Sequence, residues 1–325
     1  MSTPAAGAPT PESARAPLDF SRLRTHPLAK RKHLVSHRDF ARLVDPSKPV
    51  RAFLDSLPGI AAGASFRELV RTIVATRRHR REVVAAMGAS VLTSGCSPVL
   101  VDLIERGLVS AVATNGAGAI HDYELSLAGE TVEDLRAAPP DGSYGMVDET
   151  AKALGLAFKE GARTGRGLGR YLGELILSEK NPHAGLSVLA AAARKGIPVT
   201  VHIAVGTDTV HAHPIISGMA LGESSLLDYR ILCGVVSRLE DGVWLNLGSA
   251  VMLPEIFAQA LGAARNLGHP VDRLLVATLD IHPTERPRED HPAPPSRVRA
   301  LSITGHHELL LPLLRAALIS EMEAA

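Results

Sequence analysis

From Val83 to the C-terminus one unit recurs: an apolar run without polar alternation, a loop of Gly, Asn, Thr or Asp, then a helical pattern. The runs are VVAAMGASVLTSGCS, LVSAVATNGAG, IPVTVHIAVGTDT, GVWLNLGSA, DRLLVATLD and RALSITGHH. Strands written this way are buried on both faces, which predicts a parallel sheet covered by helices. Each strand–loop–helix step predicts a right-handed crossover. The fold class expected is α/β, a doubly wound, mostly parallel sheet flanked by helices, with ligands at the carboxyl ends of the strands. A TIM barrel is the rival architecture. Against it, the stretch 148–195 reads as helix throughout and offers no strand of its own.

Upstream of these units the pattern changes. Residues 1–17 are mainly Pro, Ala, Ser and Thr, too poor in large apolar side chains to offset ordering entropy, and a disordered tail is predicted. Residues 18–325 read as a single domain, of which 18–82 form a basic, helical N-terminal extension. There Phe66, Leu69, Val70, Ile73 and Val74 recur at helical spacing. The run Arg77–Arg81 reads as a solvated helix end.

Composition narrows the picture. Aromatics are only 3% of the chain, so the core must be built from small aliphatics, which lets helices pack closely on a sheet. A net charge of +1 gives no reason to expect a nucleic-acid or membrane partner. Cys96 and Cys233 stand far apart with no metal-type spacing, which fits a reducing compartment. No apolar run reaches the ~18 residues of a membrane span, and no signal-peptide pattern is visible, so a cytoplasmic protein is expected.

The loops carry the candidate chemistry. Thr93, Ser94 and Gly95 lead through Cys96 and Ser97 to Pro98, a residue suited to a first helical turn, and are expected to offer N–H groups and hydroxyls to an anion. Thr114, Asn115, Gly116 and Gly118 end the next run, where glycine allows close backbone approach by a ligand. His121 and Asp122 follow, with Tyr123 and Glu124. His202, Asp208, His211 and His213 supply the donor types of a transition-metal site, but a loop does not guarantee convergence. Gly248 and Ser249 end the fourth run, and Pro254 should bend the next helix or mark its start. His306, His307 and Glu308 follow the sixth, with side chains suited to proton transfer.

Taken together and in order, these loops resemble the deoxyhypusine synthase family. SGCSPVLVDLIERGLVSAVATNGAGAIHDYE resembles its Ser-Ser-Gly turn, helix, strand, Thr-Thr-Ala-Gly-Gly turn and acidic follow-on. IPVTVHIAVGTDT resembles its strand ending in a Thr-Asp-Gly turn, and VWLNLGSAVMLPEIFAQALGAARNLG its strand, triple-glycine turn and helix. The resemblance implies a doubly wound NAD-binding fold in a homotetramer with NAD between paired subunits. It also implies that Ser94, Gly95, Thr114, Gly116, Asp122, Asp208, Gly248 and Ser249 line a nucleotide site. Family synthases oxidise spermidine with NAD and pass its aminobutyl group through a lysine imine. The chain departs from that pattern: the lysine belongs within 292–299, which reads PAPPSRVR, and no lysine occurs after Lys195. Arginine stays protonated and forms no imine. Two of the three glycines become Ser249 and Ala250, and the family's catalytic histidine falls at or near Pro254.

The function expected is a deoxyhypusine synthase-like, NAD-binding enzyme, transferase- or oxidoreductase-like, acting on a small polar substrate of which a polyamine is one kind. The lysine-imine step is absent, and a homo-oligomer, dimer or tetramer, is expected. The acid/base candidates are His121, Asp122, Asp208, His211, His306, His307 and Glu308. Two readings stand beside this one: a histidine-rich metal-assisted hydrolase, and a non-catalytic nucleotide-binding regulatory protein.

Overall fold

The computed structural model describes residues 20–137, 139–282 and 297–323. The expected tail, and most of the 292–299 segment, lie outside them. The chain divides into two compact units, up to Asp39 and from Phe40 onward. In the first, the described residues form three short 3₁₀ turns, Phe20–Arg22, Leu28–Lys30 and His37–Asp39.

The second unit is built on six parallel strands: β1 (Val83–Met87), β2 (Ala111–Asn115), β3 (Val199–His202), β4 (Gly242–Leu247), β5 (Arg273–Asp280) and β6 (Arg297–Thr304). Their spatial order is β3-β2-β1-β4-β5-β6. This open sheet has two edges and is therefore not a barrel. All five residues of β1 and all six of β4 are buried, as apolar runs without alternation require.

Helices cover both faces. On one face lie α1 (Val50–Ser56), α2 (Ala61–Arg78), α4 (Ser97–Glu105), α5 (Gly116–Ala128), α6 (Asp148–Arg163), α7 (Leu168–Glu179), α8 (Val188–Lys195) and α11 (His307–Glu323). The other carries α9 (Gly218–Val236) and α10 (Met252–Asn266). A short helix, α3 (Ser90–Thr93), precedes α4. The alternation of strand side chains sorts them between two cores: Val83, Ala85 and Met87 face one, Val84 and Ala86 the other. Trp244 of β4 stacks on Phe257 of α10 at 4.3 Å between ring centroids, anchoring that helix.

Phe66, Leu69, Val70, Ile73 and Val74 are all buried, so α2 is part of the main core. Pro254 sits in the first turn of α10, where its missing N–H breaks no helical bond. The stretch 148–195 is α6, α7 and α8 with a 3₁₀ turn, as expected.

Candidate functional site

The strand order reverses between β1 and β4, and both strands end on the same side of the sheet. In doubly wound folds the crevice outside such a reversal is where ligands bind. Here its floor is tight backbone. Gly88 donates to the Leu247 carbonyl at 2.8 Å, and any Cβ at Gly88 would overlap the Gly248 carbonyl oxygen. Gly248 has φ +65°, a conformation that suits glycine, and a Cβ there would strike Ser90 and His307. Ser90 Oγ donates to Gly248 O at 3.3 Å. His307 is buried, and its Nε2 lies 3.2 Å from the Leu279 carbonyl, an acceptor only, so Nε2 carries the proton. Ser249 Oγ accepts from Leu253 N and so caps the start of α10. Beside it Asn246 donates from Nδ2 to the Ser249 carbonyl at 2.9 Å, while its buried Oδ1 has no partner.

A second group of polar side chains gathers at the ends of β2 and β3. Asp208 and His211 lie in the 3₁₀ segment after β3, with side chains 7% and 9% exposed and Oδ2 3.8 Å from Nε2. Asp208 Oδ2 stands over the start of α5, where a Cβ at Gly116 would overlap it. His121, one turn along α5, interacts electrostatically with Asp208. Burial raises the Asp208 pKa, opposed by His211 and His121, and lowers that of His121, opposed by Glu124 and Asp208. From the midpoint of the β1–β4 crevice to the end of β2 is one and a half strand spacings, roughly 7 Å. A ligand in the crevice can therefore reach the second group.

Other expected residues are placed differently. The strand expected to run toward Thr93 stops at Met87, because Ser90–Thr93 turn into α3. The strand-end loop is thus Gly88–Ser90, and Thr93, Ser94 and Gly95 sit one helical turn beyond it. A glycine directly after five apolar residues was the available signal for Gly88. Asp122 does not present a free carboxylate to a ligand. It is fully buried and accepts from Ser187 Oγ (2.5 Å), Val188 N (2.7 Å) and Leu189 N (3.2 Å), clamping the start of α8. Burial pushes its pKa up to about 6, against those three bonds. Asp228 of α9, which the sequence reading passed over, does the same for the start of α7 and for β3.

Thr114 is buried, donating to the Met87 carbonyl at 2.9 Å beneath Gly118, and so joins β2 to β1. Asn115 caps α5 by accepting from Gly118 N. His306 and Glu308 are exposed and face each other at 3.5 Å. His202 is a core histidine, 3.0 Å from Thr200 Oγ1, with its pKa lowered to about 4 by burial. Among the described residues, no three His, Cys, Asp or Glu side chains converge as metal ligands. Nor is any described helix long and apolar enough to cross a membrane.

No family model and no curated protein matches the sequence. Solved structures match the fold. A conserved LOR/SDH protein from Methanococcus maripaludis S2 superposes with a TM-score of 0.51 at 16% identity, over 86% of this chain and 72% of that one. AgrE in its complex with L-arginine gives 0.51 at 17% identity, over 86% of this chain and 34% of AgrE. The chain thus spans about a third of AgrE, a protein also solved as a ternary complex with ornithine and NAD+. A protein assigned as a deoxyhypusine synthase from Entamoeba histolytica gives 0.48 at 13% identity, over 84% of this chain and 94% of that one. The fold is shared with the LOR/SDH protein and AgrE. At these identities the likeness is one of fold.

Proposed function

We propose that this protein is an enzyme that binds a dinucleotide of the NAD type in the β1–β4 crevice and acts on a small amine-bearing substrate at the Asp208–His211–His121 group. The observation that carries the reading is the strand reversal, with an unpartnered buried acceptor, Asn246 Oδ1, beside it. A buried acceptor without a donor calls for one from outside the chain, and a dinucleotide's carboxamide and hydroxyls are such donors. Gly88, Ser90, Gly248 and Ser249 would form the walls, with His307 behind them. Gly88 and Gly248 pack against each other, Ser90 and His307, which closes the floor on which a ligand would lie. NAD, when bound, supplies a hydride acceptor or donor; the chain's own residues bind, orient and move protons.

Asp208 suits an ammonium group: it is a largely buried carboxylate with no cationic Lys or Arg partner among the described residues. An ammonium there would gain a charge-assisted bond in a site of low polarity. The fold neighbour AgrE, with its ornithine and NAD+ complex, supports this pairing of ligands. Lysine-imine transfer has no place in the scheme, since the chain holds no lysine after Lys195. A homo-oligomer remains part of the proposal, tested by light scattering.

The direct test is calorimetry with NAD+ and NADH on the folded protein. Wild type should bind, and Gly248→Val, which puts a branched side chain at φ +65° against Ser90 and His307, should lose binding. Asp208→Asn should keep nucleotide binding and lose amine-dependent reduction of NAD+ by ~10²-fold or more. Folded wild type that binds neither nucleotide would refute the reading.

A further inference from the structure

His121 and His211 both interact electrostatically with Asp208 and are held as opposite tautomers by different means. His211 Nδ1 lies 3.1 Å from the backbone N–H of Gly206 and 3.4 Å from that of Asp208. A backbone N–H only donates, so Nδ1 presents its lone pair and the neutral ring carries its proton on Nε2. That Nε2 is buried without a hydrogen-bond partner, with Asp208 Oδ2 3.8 Å away, beyond bonding range.

At His121 the chain of donors runs the other way. Its Nδ1 is 2.7 Å from Thr131 Oγ1, and Thr131 Oγ1 is 2.5 Å from Glu124 Oε2. A carboxylate has no hydrogen to give, so the single hydroxyl hydrogen of Thr131 goes to Glu124. The Thr131 oxygen is then left as an acceptor, and His121 must donate from Nδ1. Thr150 Oγ1 holds the other Glu124 oxygen at 3.2 Å, which fixes the carboxylate in place. The His121 proton therefore sits on Nδ1, and Nε2 is a free lone pair.

We infer that Glu124 and Thr131 are positioning residues that hold His121 with Nε2 as a free base, able to take a proton from a substrate nitrogen or oxygen. The catalytic meaning rests on the function proposed above, but the tautomers do not. The ligand class follows: an amine or a hydroxyl, which can donate a proton to His121. Neither Glu124 nor Thr131 touches the substrate. They act through His121, in the way that a carboxylate or carbonyl orients a histidine through its other ring nitrogen.

The test reads the rings directly and needs no ligand. The full chain is labelled with ¹⁵N-histidine, and long-range ¹H–¹⁵N correlations are recorded at pH 8, with His121→Gln and His211→Gln used for assignment. His121 should show a protonated Nδ1 and a bare Nε2, and His211 the reverse. Thr131→Val should release His121 to the other tautomer or to exchange between them. Thr131→Ser, which keeps the hydroxyl, should preserve the wild-type pattern. In both, an unchanged His211 pattern reports an intact fold. Should Thr131→Val not fold, Glu124→Gln serves the same end, because its amide donates to Thr131 and frees the hydroxyl hydrogen for His121. A protonated Nε2 on His121 in wild type, or a His121 pattern indifferent to both Thr131→Val and Glu124→Gln, would overturn the inference. Loss of NAD binding with these tautomers intact would count against the proposed function alone.

Discussion

Asp228→Asn should flatten the pH dependence of this protein's stability. Asp228 is fully buried, and one oxygen, Oδ2, accepts from both Gly169 N (2.9 Å) and Val201 N (2.7 Å). The other, Oδ1, has no partner. Burial pushes the pKa up to about 7 from 3.8, against the backbone bonds that favour the charge. Below pH ~4 the side chain is protonated in folded and unfolded chains alike, and its stabilising contribution is fully present. Above that the unfolded chain releases the proton while the folded chain keeps it until about pH 7, so stability falls across this window. The rise from 3.8 to about 7 corresponds to about 4 kcal/mol at most. The N-terminus of α7 favours the anion and offsets ~0.3–2 kcal/mol of this, leaving about 2–4 kcal/mol.

Asparagine can place its carbonyl oxygen where Oδ2 stands and keep both backbone bonds, with its NH₂ at the unpartnered Oδ1 position. Urea unfolding of wild type and variant at pH 4 and pH 8 checks this. The two should agree within ~1 kcal/mol at pH 4. At pH 8 the variant should be the more stable by about 2–4 kcal/mol, from the same linkage arithmetic. Asp122, raised to about 6, remains in both proteins and leaves a shared residual slope. Parallel pH profiles, or a variant weaker than wild type at pH 8 but not at pH 4, would show that Asp228 is already ionised in the folded chain and refute the argument.

Asp122→Ala strands Ser187 Oγ and the N–H groups of Val188 and Leu189, and should cost about 2–4 kcal/mol at ~1–3 kcal/mol per unpaired buried group, less the gain from removing a buried carboxylate. A thermal melt unchanged by the substitution would contradict its clamping role. Borohydride treatment with spermidine and NAD should yield no covalent adduct within residues 196–325, because no primary amine side chain lies there; mass mapping of a digest decides it. Gly88→Ala should destabilise the fold through collision with the Gly248 carbonyl, by ~1–3 kcal/mol as for other overpacked sites, whereas Gly95→Ala meets no neighbouring atom and costs only the strain of φ +76°. A denaturation series ranking Gly95→Ala as much the worse would count against the placement of the strand end.

The sequence by itself determined the layers. Runs such as GVWLNL and VVAAM carry no polar alternation, and only a strand covered on both faces tolerates that. Helical spacing likewise marked the buried face of α2, while Pro254 left a bend or a start open for α10 until the structure placed it in the first turn. Glycine and serine at the ends of these runs located the carboxyl side of the sheet as the place for chemistry. Which of those residues meet was decided only by the tertiary structure. Strand order is set by nonlocal pairing, so nothing local to β1 or β4 says that Gly88 and Gly248 share a floor.

The same limit explains the carboxylates. Asp122 and Asp208 look alike along the chain, each an aspartate shortly after a run's end. Asp122 lies opposite the start of α8, where helix N–H groups need an acceptor, and becomes a clamp. Asp208 begins a short 3₁₀ turn and its Oδ2 stands over Gly116, with no lysine or arginine paired to it among the described residues. The tautomers of His121 and His211 were equally invisible. They depend on which atom, a Thr131 hydroxyl in one case and a Gly206 backbone N–H in the other, the loop geometry brings to each Nδ1. Periodicity encodes burial because burial is a property of faces; hydrogen-bond roles are properties of individual atom pairs, and only the packed chain brings those pairs together.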